Sequence, residues 1–340
     1  ELDVARVAEG SGRYYYGVVR TEYPGGGVVG IAAGIPSRTA LGWDRFPDAP
    51  NTVAHELGHN FGRRHVPCGG AAGADPDYPY PIGMIGSFGM DPQTGEVKTP
   101  NEFTDIMGYC DASWWISDYT FVNVLNYRAQ ADAGMSLVGD RQNTLLVWGR
   151  ISDGELILEP AFRVVTRPSL PQAPGPYRLE GLAEDGTRLF QISFQGERIE
   201  HAKGDHRIFA FAIPVDEVIL TRLAALRLTG GGRSVMNAVG TAGVTSGGRL
   251  GPFERNGVVE ERRVVGRHAP LERYAVMERG DGTIALEWDA TNHPAVMVRD
   301  PRTAEVLGIA RGGSATLFAG TGEIELIASD GVASSTRRVR

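Results

Sequence analysis

One run constrains this chain more than any other: His-Glu-Leu-Gly-His-Asn-Phe-Gly-Arg-Arg-His, from His55 to His65. Residues four apart on a helix share a face one turn apart, so His55 and His59 present two imidazoles side by side. Neutral imidazole nitrogens suit Zn2+ at about 2.0–2.1 Å. Glu56 adjoins His55, so its carboxylate can reach a water at such an ion without ligating the ion. Gly62 is the natural helix stop, because glycine tolerates the left-handed backbone common just past a helix end, and the turn brings in His65 as third ligand. Three protein ligands leave one position open, which separates a catalytic zinc from a structural one. The competing reading is a surface helix with incidental histidines. It does not explain why Gly58 and Gly62 stand in the last turns, at about 1 kcal/mol each relative to alanine.

Around the motif, the first fifty residues read as strands between glycine-rich turns: Arg13 to Val19, Gly27 to Ala32 and Thr39 to Trp43. Glu1 to Gly10 reads as the last turns of a helix. The motif helix begins near Asp48 to Asn51 and carries Val53, Leu57 and Phe61 as a core-facing stripe. From Arg63 to Thr104 no period is sustained, and a stretch of that length in a compact domain is usually functional. A second helix is expected after Ser117, carrying Phe121, Val124, Leu125 and Arg128. Beyond residue 138 short apolar runs such as Leu145 to Trp148, Leu156 to Leu158, Leu189 to Ile192 and Ile208 to Phe211 alternate with turn signals, which predicts an all-β sandwich. Gly230 to Gly257 reads as a linker or long loop. The strands after residue 265 predict a small immunoglobulin-like sandwich. The expected domains are 1–138, 139–262 and 263–340.

A second element follows the histidines: Asp105-Ile106-Met107-Gly108-Tyr109-Cys110. The extended histidine motif followed by this methionine turn resembles the metzincin clan of zinc endopeptidases. The resemblance covers about residues 10 to 130. It implies an α+β catalytic domain with its front part abbreviated or missing, followed here by two all-β sandwich-like domains. It implies that Met107 lies beneath the three histidines as an apolar base. The tyrosine two residues on is similar to that of astacins and serralysins, which implies that Tyr109 approaches the metal and stabilises an oxyanion. The residue after the third histidine is Asp in the adamalysin and reprolysin group, Glu in astacins and Ser in matrixins; Val66 fits none of these. The His-Asn-Phe-Gly stretch and the nearby cysteine are similar to reprolysin-like bacterial enzymes. The implied activity is hydrolysis of protein or peptide substrates through a zinc-activated water with Glu56 as general base, the peptide lying along an edge strand for which Val28 to Ala33 is the candidate.

Cys68 and Cys110 flank this site, and a disulfide between them would tie the ends of the active-site loop together; two buried free thiols are the alternative. A disulfide favours an oxidising, extracytoplasmic compartment. The first residue is Glu, and any export signal or pro-segment is expected upstream. A net charge of −7 without a basic patch, its basic clusters being short runs such as Glu261-Arg262-Arg263 and Arg338-Val339-Arg340, disfavours nucleic acid. No apolar run approaches the ~20 residues of a membrane span. Asp75, Asp77 and Asp91 are carboxylates of the kind that bind a structural Ca2+, but their spacing matches no known calcium loop, and solvated turns are the simpler reading. His201, His206, His268 and His293 are scattered through the β region and read as surface or satisfied residues rather than ligands. The competing function is an adhesion or carbohydrate-binding protein with a vestigial metal domain, using Trp148, Tyr177 and Trp288 as a platform. Neither the oligomeric state nor the preferred cleavage site is legible.

Overall fold

Short apolar runs that mix leucine with β-branched and aromatic residues recur between turn signals, and the fold is accordingly mostly β-sheet with few helices. The computed structural model describes residues 1–20, 27–110, 113–133, 139–239, 241–244, 271, 273–278, 281–318 and 322–339. In the first part, helix α1 (Leu2–Glu9) leads into strands β1 (Tyr15–Val19), β2 (Gly30–Ala32) and β3 (Thr39–Trp43), and then helix α2 (Ala49–Asn60). β3 lies in the middle of this sheet, parallel to β1 and antiparallel to β2, so β2 is an outer strand; α2 packs on β2 and β3. Two short pairs follow, β4 (Gly89–Met90) with β5 (Val97–Lys98) and β6 (Phe103–Asp105) with β7 (Ser113–Trp115), and then helix α3 (Asp118–Ala133). Phe121 and Leu125 of α3 are exposed rather than core.

The middle of the chain is a two-sheet sandwich. One sheet contains β8 (Gln142–Ser152), β9 (Glu155–Leu158), β10 (Phe162–Thr166), β13 (Glu197–Arg198) and β14 (His206–Pro214). The other contains β11 (Tyr177–Ala183), β12 (Arg188–Phe194), β15 (Leu223–Gly230), β16 (Arg233–Ala238) and β17 (Thr241–Val244), with the short helix α4 (Glu217–Arg222) leading into β15. β16 and β17 correct the expectation of a linker from Gly230: Gly231 and Gly232, both at positive φ, turn the chain, and Arg233 to Ala238 then pairs back on β15. The rest of that stretch from 245, the boundary at 262/263, the Glu261-Arg262-Arg263 run, His268 and Arg340 lie outside the described residues, as does the boundary at residue 138.

The last unit has seven strands among the described residues. β18 (Tyr274–Glu278), β19 (Thr283–Trp288) and β22 (Ser314–Phe318) form one sheet. β20 (Ala295–Arg299), β21 (Val306–Arg311), β23 (Ile324–Ser329) and β24 (Ser334–Val339) form the other.

The apolar runs are continuous because several strands are buried on both faces. Leu145, Val147 and Ile151 of β8 enter the sandwich core with Phe209, Phe211 and Leu226, whereas Leu146 and Trp148 point to the opposite side. There they meet Val4, Val7 and Ala8 of α1 together with Ala295, Met297 and Ile327 of the last unit. Val296, Val298, Leu326 and Trp288 fill a third core beyond. Trp148 and Trp288 are therefore buried, their indole N–H groups donating to Pro160 O and His293 O, while Tyr177 is half-buried against Phe194. These three do not form an exposed aromatic platform.

Candidate metal centre

α2 begins after Asp48, with Pro50 in its first turn, and ends at Asn60; Gly62 takes φ +80° and donates its N–H to His59 O at 2.9 Å. The apolar stripe expected to face the core, Val53, Leu57 and Phe61, is only half-buried. The fully buried face is polar: Thr52, His55, Glu56, His59 and Asn60. Such burial is tolerated where partners exist, and for the histidines the backbone supplies them. His55 Nδ1–H donates to Ile106 O at 2.7 Å, His59 Nδ1–H to Arg63 O at 2.7 Å, and His65 Nδ1–H to Ala72 O at 2.8 Å. A carbonyl can only accept, so each Nδ1 carries the hydrogen and each Nε2 keeps its lone pair. Backbone carbonyls on imidazole Nδ1 are the usual support of a metal-binding histidine.

The methionine turn is tied beneath this helix. Asp105, wholly buried, accepts from Met107 N and Ser117 N, each at 2.8 Å, and Met107 is itself 0% exposed. Val66 N donates to Met107 O, and Met107 packs with Val66, Cys68 and Tyr78. Cys68 and Cys110 form a disulfide. Tyr109 approaches the histidines, its hydroxyl 3.0 Å from His65 Nε2.

A fourth histidine completes the cluster. His201, expected to be a surface or satisfied residue rather than a ligand, has its Nε2 2.9 Å from His59 Nε2, with its Nδ1 hydrogen-bonded to the Tyr109 hydroxyl. The ligand atoms of His55, His59, His65 and His201 all lie within 4.8 Å of one another, and this is the one such metal-competent group among the described residues. No spacing rule could have found His201, which lies 142 residues from His59 and arrives on a loop of the sandwich. His206 behaves as expected, bonded to Ser152 Oγ and Lys203 O; His293 is buried, with Nδ1 unpartnered. Asp75 accepts from Asp77 N and Tyr119 OH and Asp91 accepts from Gln93 N, so these carboxylates serve their own turns rather than converging on a cation.

Burial dominates the electrostatics. It lowers His55 to about 4, His59 to about 2 and His201 to about 3, the two last being pushed further by His55; His65 is lowered as well. The imidazoles are therefore neutral at pH 7, the state that binds a metal. Burial raises the Glu56 carboxyl to about 8, the nearby charge of Glu200 adding to the rise. Tyr109 is raised by burial and by Glu56. His55 Nε2 and Glu56 Oε2 are buried without a hydrogen-bond partner. A buried lone pair left bare among other imidazole nitrogens is what a cation would satisfy, so the residues fit a divalent, nitrogen-preferring metal such as zinc.

The site opens on a cleft of about 710 Å³, walled by Val28 to Gly30 on one side and by Ile199 to Lys203 on the other. No helix among the described residues is long and apolar enough to cross a membrane. No protein-family model matches the chain, and no curated protein matches it in sequence.

Proposed function

We propose that this chain is a zinc-dependent endopeptidase of the metzincin type, with an α+β catalytic unit in its first part. The observation that carries the proposal is the convergence of three Nδ1-anchored histidines with a buried Glu56, whose Oε2 has no hydrogen-bond partner, beside an outer strand. His55, His59 and His65 would hold the zinc, which when bound supplies Lewis-acid polarisation of a carbonyl and acidifies water.

The chain's own residues account for the rest. Glu56, whose ionised form a cation held by the histidines would favour against its burial, takes a proton from the attacking water at a carboxylate oxygen and returns it to the departing amine nitrogen. The Tyr109 hydroxyl donates to the oxygen of the attacked carbonyl as negative charge develops there. The outer strand β2 offers main-chain groups to an extended peptide, a recognition mode blind to most side chains. Met107 fills the space under α2 and keeps the histidine turns in place. The disulfide supports work in an oxidising, extracytoplasmic compartment.

The test uses the full chain, alone and carrying His201→Ala because His201 stands in the same cleft, each with and without Glu56→Gln. Zinc content and the new termini produced from a denatured protein mixture are measured. About one zinc per chain in all four proteins, with new termini only where Glu56 is intact, is the expected result. Zinc retained with no Glu56-dependent termini in either background rejects the proposal.

A further inference from the structure

The connection from β13 to β14 starts as ordinary sheet. Glu197 and Arg198 pair with Ile208 and Arg207, and Ile199 N donates to His206 O at 2.8 Å. The next residue leaves this sheet and reaches the other one: Glu200 N donates to Ala32 O at 3.0 Å, on β2. A peptide adding to β2 would compete for that carbonyl. His201 then adopts φ +64°, a left-handed conformation uncommon outside glycine. That turn directs its ring inward, where Nε2 lies 2.9 Å from His59 Nε2 and 3.7 Å from Glu56 Oε2. The far end of the loop is clamped to the sandwich: His206 Nε2–H donates to Lys203 O at 2.7 Å, and Asp205 N donates to Asp153 Oδ1 at 3.0 Å. The loop is thus anchored at both ends on the sandwich, with its tip in the cleft.

The contact between His59 and His201 is informative. His59 Nε2 has no hydrogen, because Nδ1 carries it. A second ring nitrogen at 2.9 Å must bring a proton or share a cation with it. Four donors within 4.8 Å of one another lie near enough to converge on one ion as a four-nitrogen zinc set, whose donors are about 3.3 Å apart when each bond is about 2.0–2.1 Å. A four-imidazole set has no free position, and free positions are what catalytic zinc requires.

We infer that residues 199–203 are a built-in plug: they take the place of a peptide beside β2, and His201 fills, as a fourth imidazole, the position a catalytic metal keeps open. This rests on the peptidase proposal and makes the folded chain latent. Substrate is admitted when the loop is displaced or cut.

Cobalt(II), whose visible spectrum reports coordination, provides a readout independent of turnover. The full chain and its His201→Ala variant are loaded with cobalt, imidazole ligands are counted by X-ray absorption, and both are titrated with acetohydroxamate, which needs an open position. His201→Gln runs in parallel and replaces the alanine variant if circular dichroism shows that it does not fold. The expected count is four imidazoles in wild type and three in the variants. A plug that is seated more than nine-tenths of the time lowers the apparent hydroxamate affinity of wild type by about tenfold or more, and Glu56-dependent cleavage of denatured casein by a similar factor. Three imidazoles in every protein, with equal hydroxamate titrations, overturn the plug whatever the cleavage result. Open sites in the variants without any cleavage uphold the plug and overturn the peptidase proposal. Failure of wild type to hold cobalt overturns both.

Discussion

Gly58 lies in α2 between His55 and His59, and a Cβ built on it would stand 2.3 Å from Met107 Sδ and 3.1 Å from Met107 Cε. Alanine there gains about 1 kcal/mol of helix propensity, but overpacking a filled site costs about 1–3 kcal/mol. Met107 is wholly buried and has nowhere to retreat, so the helix carrying His55 and His59 must tilt instead. Gly58→Ala is therefore expected to lower both the melting temperature and the zinc affinity, measured by thermal denaturation and by competition with a chromophoric chelator. Adding Met107→Ala should restore part of the affinity. The pH dependence of the metal-free chain follows from the same cluster. Between about pH 4.5 and 6 the unfolded chain binds protons on His55, His59 and His201 that the folded chain leaves neutral, His65 acting in the same direction, while the folded chain holds extra protons on Glu56 and Glu197. The unfolded state binds more protons, so stability rises with pH over that window, at about 1.4 kcal/mol per pH unit per net proton. From about 6.5 to 8 Glu56 and Glu197 dominate; the folded state now binds more, and stability falls as pH rises. Urea titrations in the presence of chelator check both limbs, and Glu56→Gln should shrink the upper one to the part due to Glu197 while steepening the lower one.

At the scale of elements, the segments around the site are joined by few but specific ties. Val66 N bonds to Met107 O and Tyr109 N to Cys68 O, and the Cys68–Cys110 disulfide, spanning 42 residues, closes the loop between them. In the chain-entropy model such a loop stabilises the fold by about 4 kcal/mol. Replacing both cysteines with serine should lower the melting temperature by several degrees and weaken zinc binding, since His65 and Tyr109 sit at the loop's two ends. Ties of this kind were legible because they are local: α2, Gly62, Met107 and the two cysteines declare themselves by spacing within some fifty residues of His55. The burial of α2 was not. Its apolar period pointed to Val53, Leu57 and Phe61, whereas the histidines are buried more deeply because main-chain carbonyls meet each Nδ1, and Glu56 is buried beside them with Oε2 lacking a hydrogen-bond partner. His201 was illegible for a different reason. Its place depends on how β13 pairs with β14 and on one hydrogen bond to Ala32, neither of which leaves a trace in the spacing of residues.

For the whole molecule, the decisive feature is the middle core. α1 precedes the first sheet in sequence, yet Val4, Val7 and Ala8 are buried among Leu146, Phe162 and Ala210 of the sandwich and Ala295, Met297 and Ile327 of the last unit. Ala210 lies on β14, the strand that also anchors the His201 loop through His206. The two walls of the cleft thus come from different parts of the chain, and that core packs α1, which adjoins β1 and β3, against the strand that carries the His201 loop. Met297 is wholly buried in that core, and truncating such a side chain costs about 2–5 kcal/mol. If the core couples the units, Met297→Ala should lower one calorimetric transition for the entire chain. Zinc, binding only the folded state, should then raise that same transition in wild type and variant by equal amounts. Two transitions, with the zinc-sensitive one unmoved by Met297→Ala, would instead mean that the histidine cluster folds without the last unit. The coupling of the cleft to the middle core would then be lost, although α1 would still hold its place in the first part of the chain.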